Sequence, residues 1–350
     1  MMKVKFVLLA ALFSLNACSP VYLMRAAYEQ AKILSRREKI ESVINRPDTE
    51  EEKKRKLILV QEAREYSKRI GLEPKDTFTK YAKIDSDVLS WVVLASKPDA
   101  FHLYTWWFPI VGSVPYKGFF DLEDAKKTAL KLEEKGFEVS IRGTTAYSTL
   151  GWFNDPILSA ALKNDEITLV NTVIHESVHT TFWLKDQVEF NESLANFIGT
   201  IESCNFFKIR LELCRQDDSS CREENEHYLK QCQNAKEREF ALAKMMSALY
   251  ADLSSLYAGS GDKAQKLLER ELIFSKHVEP FLQLYPNVKS LQKINNAEIM
   301  QHKLYLSGFD ELLVFFKKCE EDLVRMLAKI QENEKLLRLS KNPFSELSSL

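Results

Sequence analysis

Val173-Ile174-His175-Glu176-Ser177-Val178-His179 places an H-E-x-x-H pattern inside an apolar run that no glycine or proline interrupts. The run predicts a helix. On a helix, residues four apart share a face, so His175 and His179 present two imidazoles to one point. Two such rings can hold one zinc ion, and a catalytic zinc takes three protein ligands and keeps its fourth position for water. Glu176 then stands beside the ion without binding it, where a general base takes a proton from the attacking water. The plainer alternative is a buried amphipathic helix whose two histidines are satisfied polar groups. It explains one histidine more readily than two at this spacing with a Glu between them and a carboxylate on the next helix.

That carboxylate is Glu192, in the first turn of a second predicted helix that carries Phe190-Asn191-Glu192-Ser193-Leu194-Ala195-Asn196. Lys185 and Asp186 form a polar break between the two apolar runs, so a helical hairpin can return Glu192 to the histidine pair. Glu189 also lies past the break and competes for the third position. Glu192 is preferred, because a ligand held by a helix is better fixed than one in a turn. Asn196, one turn further on, is expected to orient a ligating side chain.

Beyond these residues the chain resembles the bacterial putative aminopeptidase family of zinc-peptidase-type lipoproteins. The likeness rests on His175-Glu176-x-x-His179, on Phe190-Asn191-Glu192-Ser193, and on Ala146-Tyr147-Ser148-Thr149-Leu150-Gly151-Trp152-Phe153-Asn154-Asp155-Pro156. It extends from Cys18 through Leu34-Ser35-Arg36-Arg37 and Phe108-Pro109-x-Val111-Gly112 to Asn295-Asn296-Ala297. The resemblance implies Glu192 as third ligand, zinc as cofactor and a peptide as substrate. The family usually carries Leu-Ala where this chain has Ser177-Val178, and cysteines near the Phe-Pro-x-Val-Gly stretch where it has none. Neither departure touches a proposed ligand.

Composition sets the outer limits. With 45% hydrophobic residues in 350 the chain has ample material for a core, and 49 basic against 50 acidic residues leave no nucleic-acid footprint. At the amino terminus, Lys3 and Lys5 precede an apolar run over residues 6–15 and then Asn16-Ala17-Cys18, which predicts a lipoprotein signal peptide over 1–17. Leu15-Asn16-Ala17-Cys18 resembles a bacterial lipobox, with Asn16 an unusual member. Cys18 is thus the expected lipidation site and membrane anchor. Ser19 after it implies, by resemblance to enterobacterial sorting, the outer membrane facing the periplasm.

The remaining 18–350 is expected to form one zinc metallopeptidase-like domain. Residues 18–145 should supply amino-terminal helices and a small sheet, 146–203 the zinc-binding core, and 204–350 a helical region. Helices are expected over 22–37 and 50–69, the second capped by Asp48-Thr49-Glu50-Glu51. Two or three strands fall between 87 and 120, including Phe101 to Trp107, followed by a helix over 122–135 and a strand over 137–141. An extended peptide can pair with the edge of such a sheet, and residues 147–155 would then line the cleft.

Four cysteines, Cys204, Cys214, Cys221 and Cys232, lack a C-x-x-C pair and favour disulfides in an exported chain. A helical hairpin around residues 217–220 would bring Cys214 to Cys221 and Cys204 to Cys232, leaving Cys319 unpaired and buried. Tyr305 is the candidate for stabilising the oxyanion of a tetrahedral intermediate, with His302 behind it. The fold class expected is α+β and mainly helical, a small mixed β-sheet beside the zinc helix and a helical carboxy-terminal region after it. The function expected is a zinc metallopeptidase, by resemblance an aminopeptidase. A zinc-dependent amidase of cell-wall peptides and a non-catalytic zinc-containing envelope lipoprotein are the alternatives.

Overall fold

The computed structural model describes residues 20–108, 112–145, 155–347 and 349–350. The expected signal peptide, Cys18 and residues 146–154 lie outside them. Helix α1 (Pro20–Ser35) runs into strand β1 (Arg37–Lys39), helix α2 (Ile40–Ile44) and helix α3 (Glu51–Arg69). Strands β2 (Lys80–Ala82), β3 (Ser90–Ser96), β4 (Trp106–Phe108), β5 (Gly112–Val114) and β6 (Tyr116–Phe119) follow. Helix α4 (Leu122–Glu133), strand β7 (Glu138–Thr144) and strand β8 (Ile157–Leu158) complete this part. Then come α5 (Glu166–Thr181), α6 (Val188–Leu213), α7 (Ser219–Ala258), α8 (Lys263–Leu284) and α9 (Asn296–Leu306). Four short helices end the chain: α10 (Phe309–Lys318), α11 (Leu323–Glu332), α12 (Glu334–Leu339) and α13 (Pro343–Leu347). The fold is α+β and mainly helical.

The strands divide into three small sheets: a mixed one ordered β1-β2-β8, an antiparallel one ordered β6-β3-β7, and the hairpin β4-β5. In the second, Leu94 of β3 lies between Tyr116 and Ser140, and Val92 lies between Gly118 and Arg142. Side chains alternate across a strand, so the two faces separate cleanly. Val93, Ala95 and Phe119 pack with Ala125 and Leu132 of α4, joined by Val139 and Ile141. The other face carries Tyr116, Leu94, Ser140 and Arg142 toward α9.

That join is polar and buried. Asn295 caps α9 by accepting from the Glu298 amide, and its side chain donates to Val139 O at 3.2 Å. Asn296, fully buried, donates its amide to Glu138 Oε2 at 2.8 Å and its side chain to Lys97 O at 2.8 Å. Arg270 of α8 donates to Glu138 Oε1 at 2.6 Å and to Pro98 O at 2.9 Å. The Asn-Asn pair of the sequence is therefore a clamp between sheet and helices.

The main core is built on α5 and α6. Val170, Val173, Ile174 and Val178 of α5 meet Leu194, Ala195, Phe197 and Ile198 of α6 in one buried cluster. Gly199 allows the close approach, since a Cβ there would stand 3.1 Å from Asn171 Oδ1. Two disulfides secure the far end of α6, Cys204–Cys232 with Cα atoms 5.4 Å apart and Cys214–Cys221 at 5.8 Å. Cys319 is free and buried. Both expected pairings are present.

Two expectations need correction. Among residues 101–107 only Trp106 and Trp107 enter a strand, because Phe101 stacks on Tyr250 of α7 and packs edge-on to Tyr257 instead of joining a ladder. Helix α3 begins at Glu51 with no side-chain cap on its first turn, because the buried Thr49 hydroxyl donates instead to Val43 O at 2.7 Å.

Candidate metal centre

Helix α5 starts on Asp165, whose carboxylate accepts from the Thr168 amide at 2.7 Å. It ends where Thr180 donates to Glu73 O and Thr181 accepts from the Glu73 amide, fixing the last turn against a neighbouring loop. The H-E-x-x-H pattern lies in the last two turns, with His175 and His179 on one face. Their Nε2 atoms are 3.0 Å apart and their rings meet edge-on.

The turn into α6 is short because Asn191 bonds both backbone groups of Leu184, accepting from its N–H and donating to its C=O at 2.8 Å each. Asp186 takes a left-handed conformation there, φ 66°, which Asp tolerates better than most residues. Glu192, one residue after Asn191, then faces the histidines. Its Oε2 lies 3.4 Å from His175 Nε2 and 3.5 Å from His179 Nε2. These three residues offer donor atoms within 4.8 Å of one another, and no other such group occurs among the described residues.

The donor set fits a metal. Three ligands at about 2.0–2.1 Å from one tetrahedral zinc stand about 3.3 Å from one another, close to the 3.0, 3.4 and 3.5 Å found. Burial alone would raise the Glu192 pKa, but the hydrogen bonds and charges of both histidines hold it down at about 2. Burial likewise opposes the charge on His175, and Glu192 with Glu176 overrides it, raising that pKa. Without an ion, the three residues thus hold one another through hydrogen bonds and opposite charge.

Glu176 is buried, and its Oε2 has no hydrogen-bond partner among the described residues. Glu189, the rival third ligand, is spent elsewhere: both its oxygens take Lys303 Nζ at 2.5 Å. Asn196 makes no hydrogen bond to His175, His179 or Glu192 among the described residues. Its amide donates to Glu239 at 2.9 Å and to Tyr305 O at 3.1 Å, tying α6 to α7 and α9. His302 turns away to Ser290, 3.2 Å distant. Tyr305 faces the centre, its ring centroid 6.4 Å from that of His175. Burial first and the charge of Glu192 second raise its pKa.

Sequence reasoning missed Tyr116. It lies on β6, an edge strand of the antiparallel sheet, and burial first and the charge of Glu192 second raise its pKa. The residue as a whole is 41% exposed, so this phenol borders both the centre and solvent. No local motif marks it, since only the sheet register brings it to α6.

The family model described as "Putative aminopeptidase" matches residues 21–343, and the chain belongs to that family. No curated protein and no solved structure matches it.

Proposed function

We propose that this protein is a zinc metallopeptidase, an aminopeptidase by its family, with His175, His179 and Glu192 holding the ion. The observation that carries the reading is the convergence of three donors beside a buried carboxylate oxygen left without a partner among the described residues. When bound, zinc supplies the Lewis acidity that makes water nucleophilic near neutral pH and polarises a carbonyl. Glu176 accepts the proton of the attacking water at Oε2 and passes it to the departing amine. Tyr305 donates its phenolic hydrogen to the oxyanion.

We infer further that the chain is exported and anchored through lipid on Cys18, which suits its two disulfides. The deciding experiment compares metal content with hydrolysis of a peptide library. Glu176→Gln should keep zinc and lose about 10²–10⁴-fold in turnover, whereas His175→Ala, His179→Ala and Glu192→Ala should lose the metal as well. Undiminished hydrolysis by Glu176→Gln overturns the mechanism.

A further inference from the structure

Three cations approach the join between the sheet and α9, and two are committed. Arg270 pairs with Glu138, and Lys303 with Glu189. The third, Arg142 of β7, is exposed. Its guanidinium carbon lies 5.8 Å from the centroid of the Tyr305 ring, and its charge also acts on Glu298 and His302 without a direct ion pair among the described residues. Ser140, two residues earlier on the same face, is occupied with Glu298 at 2.7 Å. Arg142 thus contributes no ion pair to the fold among the described residues, and yet it stands one aromatic ring from His175.

A guanidinium carries a planar fork of N–H donors that takes a carboxylate bidentately, and an aromatic ring beside it does not use those donors up as an ion pair would. Across the sheet from Arg142, in the same row, is Gly118, where a Cβ would meet nothing within 4 Å. Among the described residues, the row between β6 and the guanidinium therefore leaves room for a ligand. From His175 to the Tyr305 ring is 6.4 Å and from that ring to Arg142 a further 5.8 Å. An extended chain covers about 3.3–3.6 Å per residue, so at most three to four residues span this reach.

We propose that Arg142 is the specificity determinant of this site, binding a substrate carboxylate within about four residues of the scissile bond. This rests on the metallopeptidase reading above. The carboxylate is supplied either by the peptide's own terminus or by an acidic side chain.

The test uses Leu-Ala-Ala, its carboxy-terminal amide, and Leu-Ala-Glu amide with the purified mature protein and added zinc. Wild type should cleave the free acid with kcat/KM at least about tenfold above the amide, mostly through KM. Arg142→Gln should erase that preference, and Arg142→Lys should keep part of it, since a lysine retains charge without the fork. Recovery with Leu-Ala-Glu amide assigns the site to side chains as well, and its absence assigns it to the terminus alone. Equal rates for acid and amide in wild type, or a preference that survives Arg142→Gln, overturn the proposal. If wild type cleaves none of the three, the peptidase reading falls, and calorimetric titration decides the rest. Binding of the acid about tenfold tighter than the amide, lost in Arg142→Gln, upholds the Arg142 site, and equal binding overturns it.

Discussion

Two acids three residues apart show how little of a ligand's identity is local. Glu189 and Glu192 are chemically alike, and what separates them is Lys303, more than a hundred residues later, which takes Glu189. Glu189→Ala should accordingly leave zinc content near wild type, as measured by elemental analysis, while Glu192→Ala strips it. Tyr305→Phe should hold the metal and lose roughly 10–10³-fold in kcat with little change in KM, the signature of a donor that acts on the transition state. His302 makes a different prediction. Burial first and Arg142 second depress its pKa to about 4, whereas in the unfolded chain it titrates near its ordinary value of about 6.5. A folded-state pKa that is lowered contributes stability above the unfolded pKa and loses it as pH falls through the folded one. Urea midpoints should therefore drop between pH 6.5 and 4, and His302→Gln should flatten that drop. The H-E-x-x-H triplet was readable in advance because one helical turn carries its geometry. Tyr116, the partners of Asn196 and the choice between the acids were not, because each depends on contacts distant in sequence.

The hairpin between α5 and α6 is the element on which the centre depends. Its turn hangs on one side chain, since Asn191 satisfies both backbone groups of buried Leu184. Asn191→Ala leaves both unpaired and should cost about 2 kcal/mol or more. Because Glu192 is the next residue, the same variant should also bind zinc more weakly, which a competition assay with a chelating dye would read. A stability loss with unchanged zinc affinity would mean that the turn supports the fold without setting the ligand. The helices were legible from apolar periodicity and their breaks. The sheets were legible only as strand-like stretches, for pairing is a matter of register between segments tens of residues apart. Phe101 illustrates the limit, a β-favouring aromatic whose partners turned out to be tyrosines on α7.

At the scale of the molecule, covalent and ionic ties hold the helical body around α6. Mature protein, denatured without reduction, should yield Cys319 as its one free thiol once Cys18 carries lipid. Replacing Cys204 and Cys232 together by serine should lower stability by about 2–4 kcal/mol. The sheet is tied on separately, through Glu138, Arg270 and Asn296. Glu138→Ala leaves a buried guanidinium short of its partner and should cost about 3 kcal/mol, seen as a lower melting temperature. The clamp also supplies a clock. The Asn296 amide hydrogen, donated to Glu138 in a fully buried place, meets solvent only when strand and helix part. Its lifetime in heavy water, compared with those of amides deep in α6, would tell whether this join opens by itself or only when the whole protein unfolds.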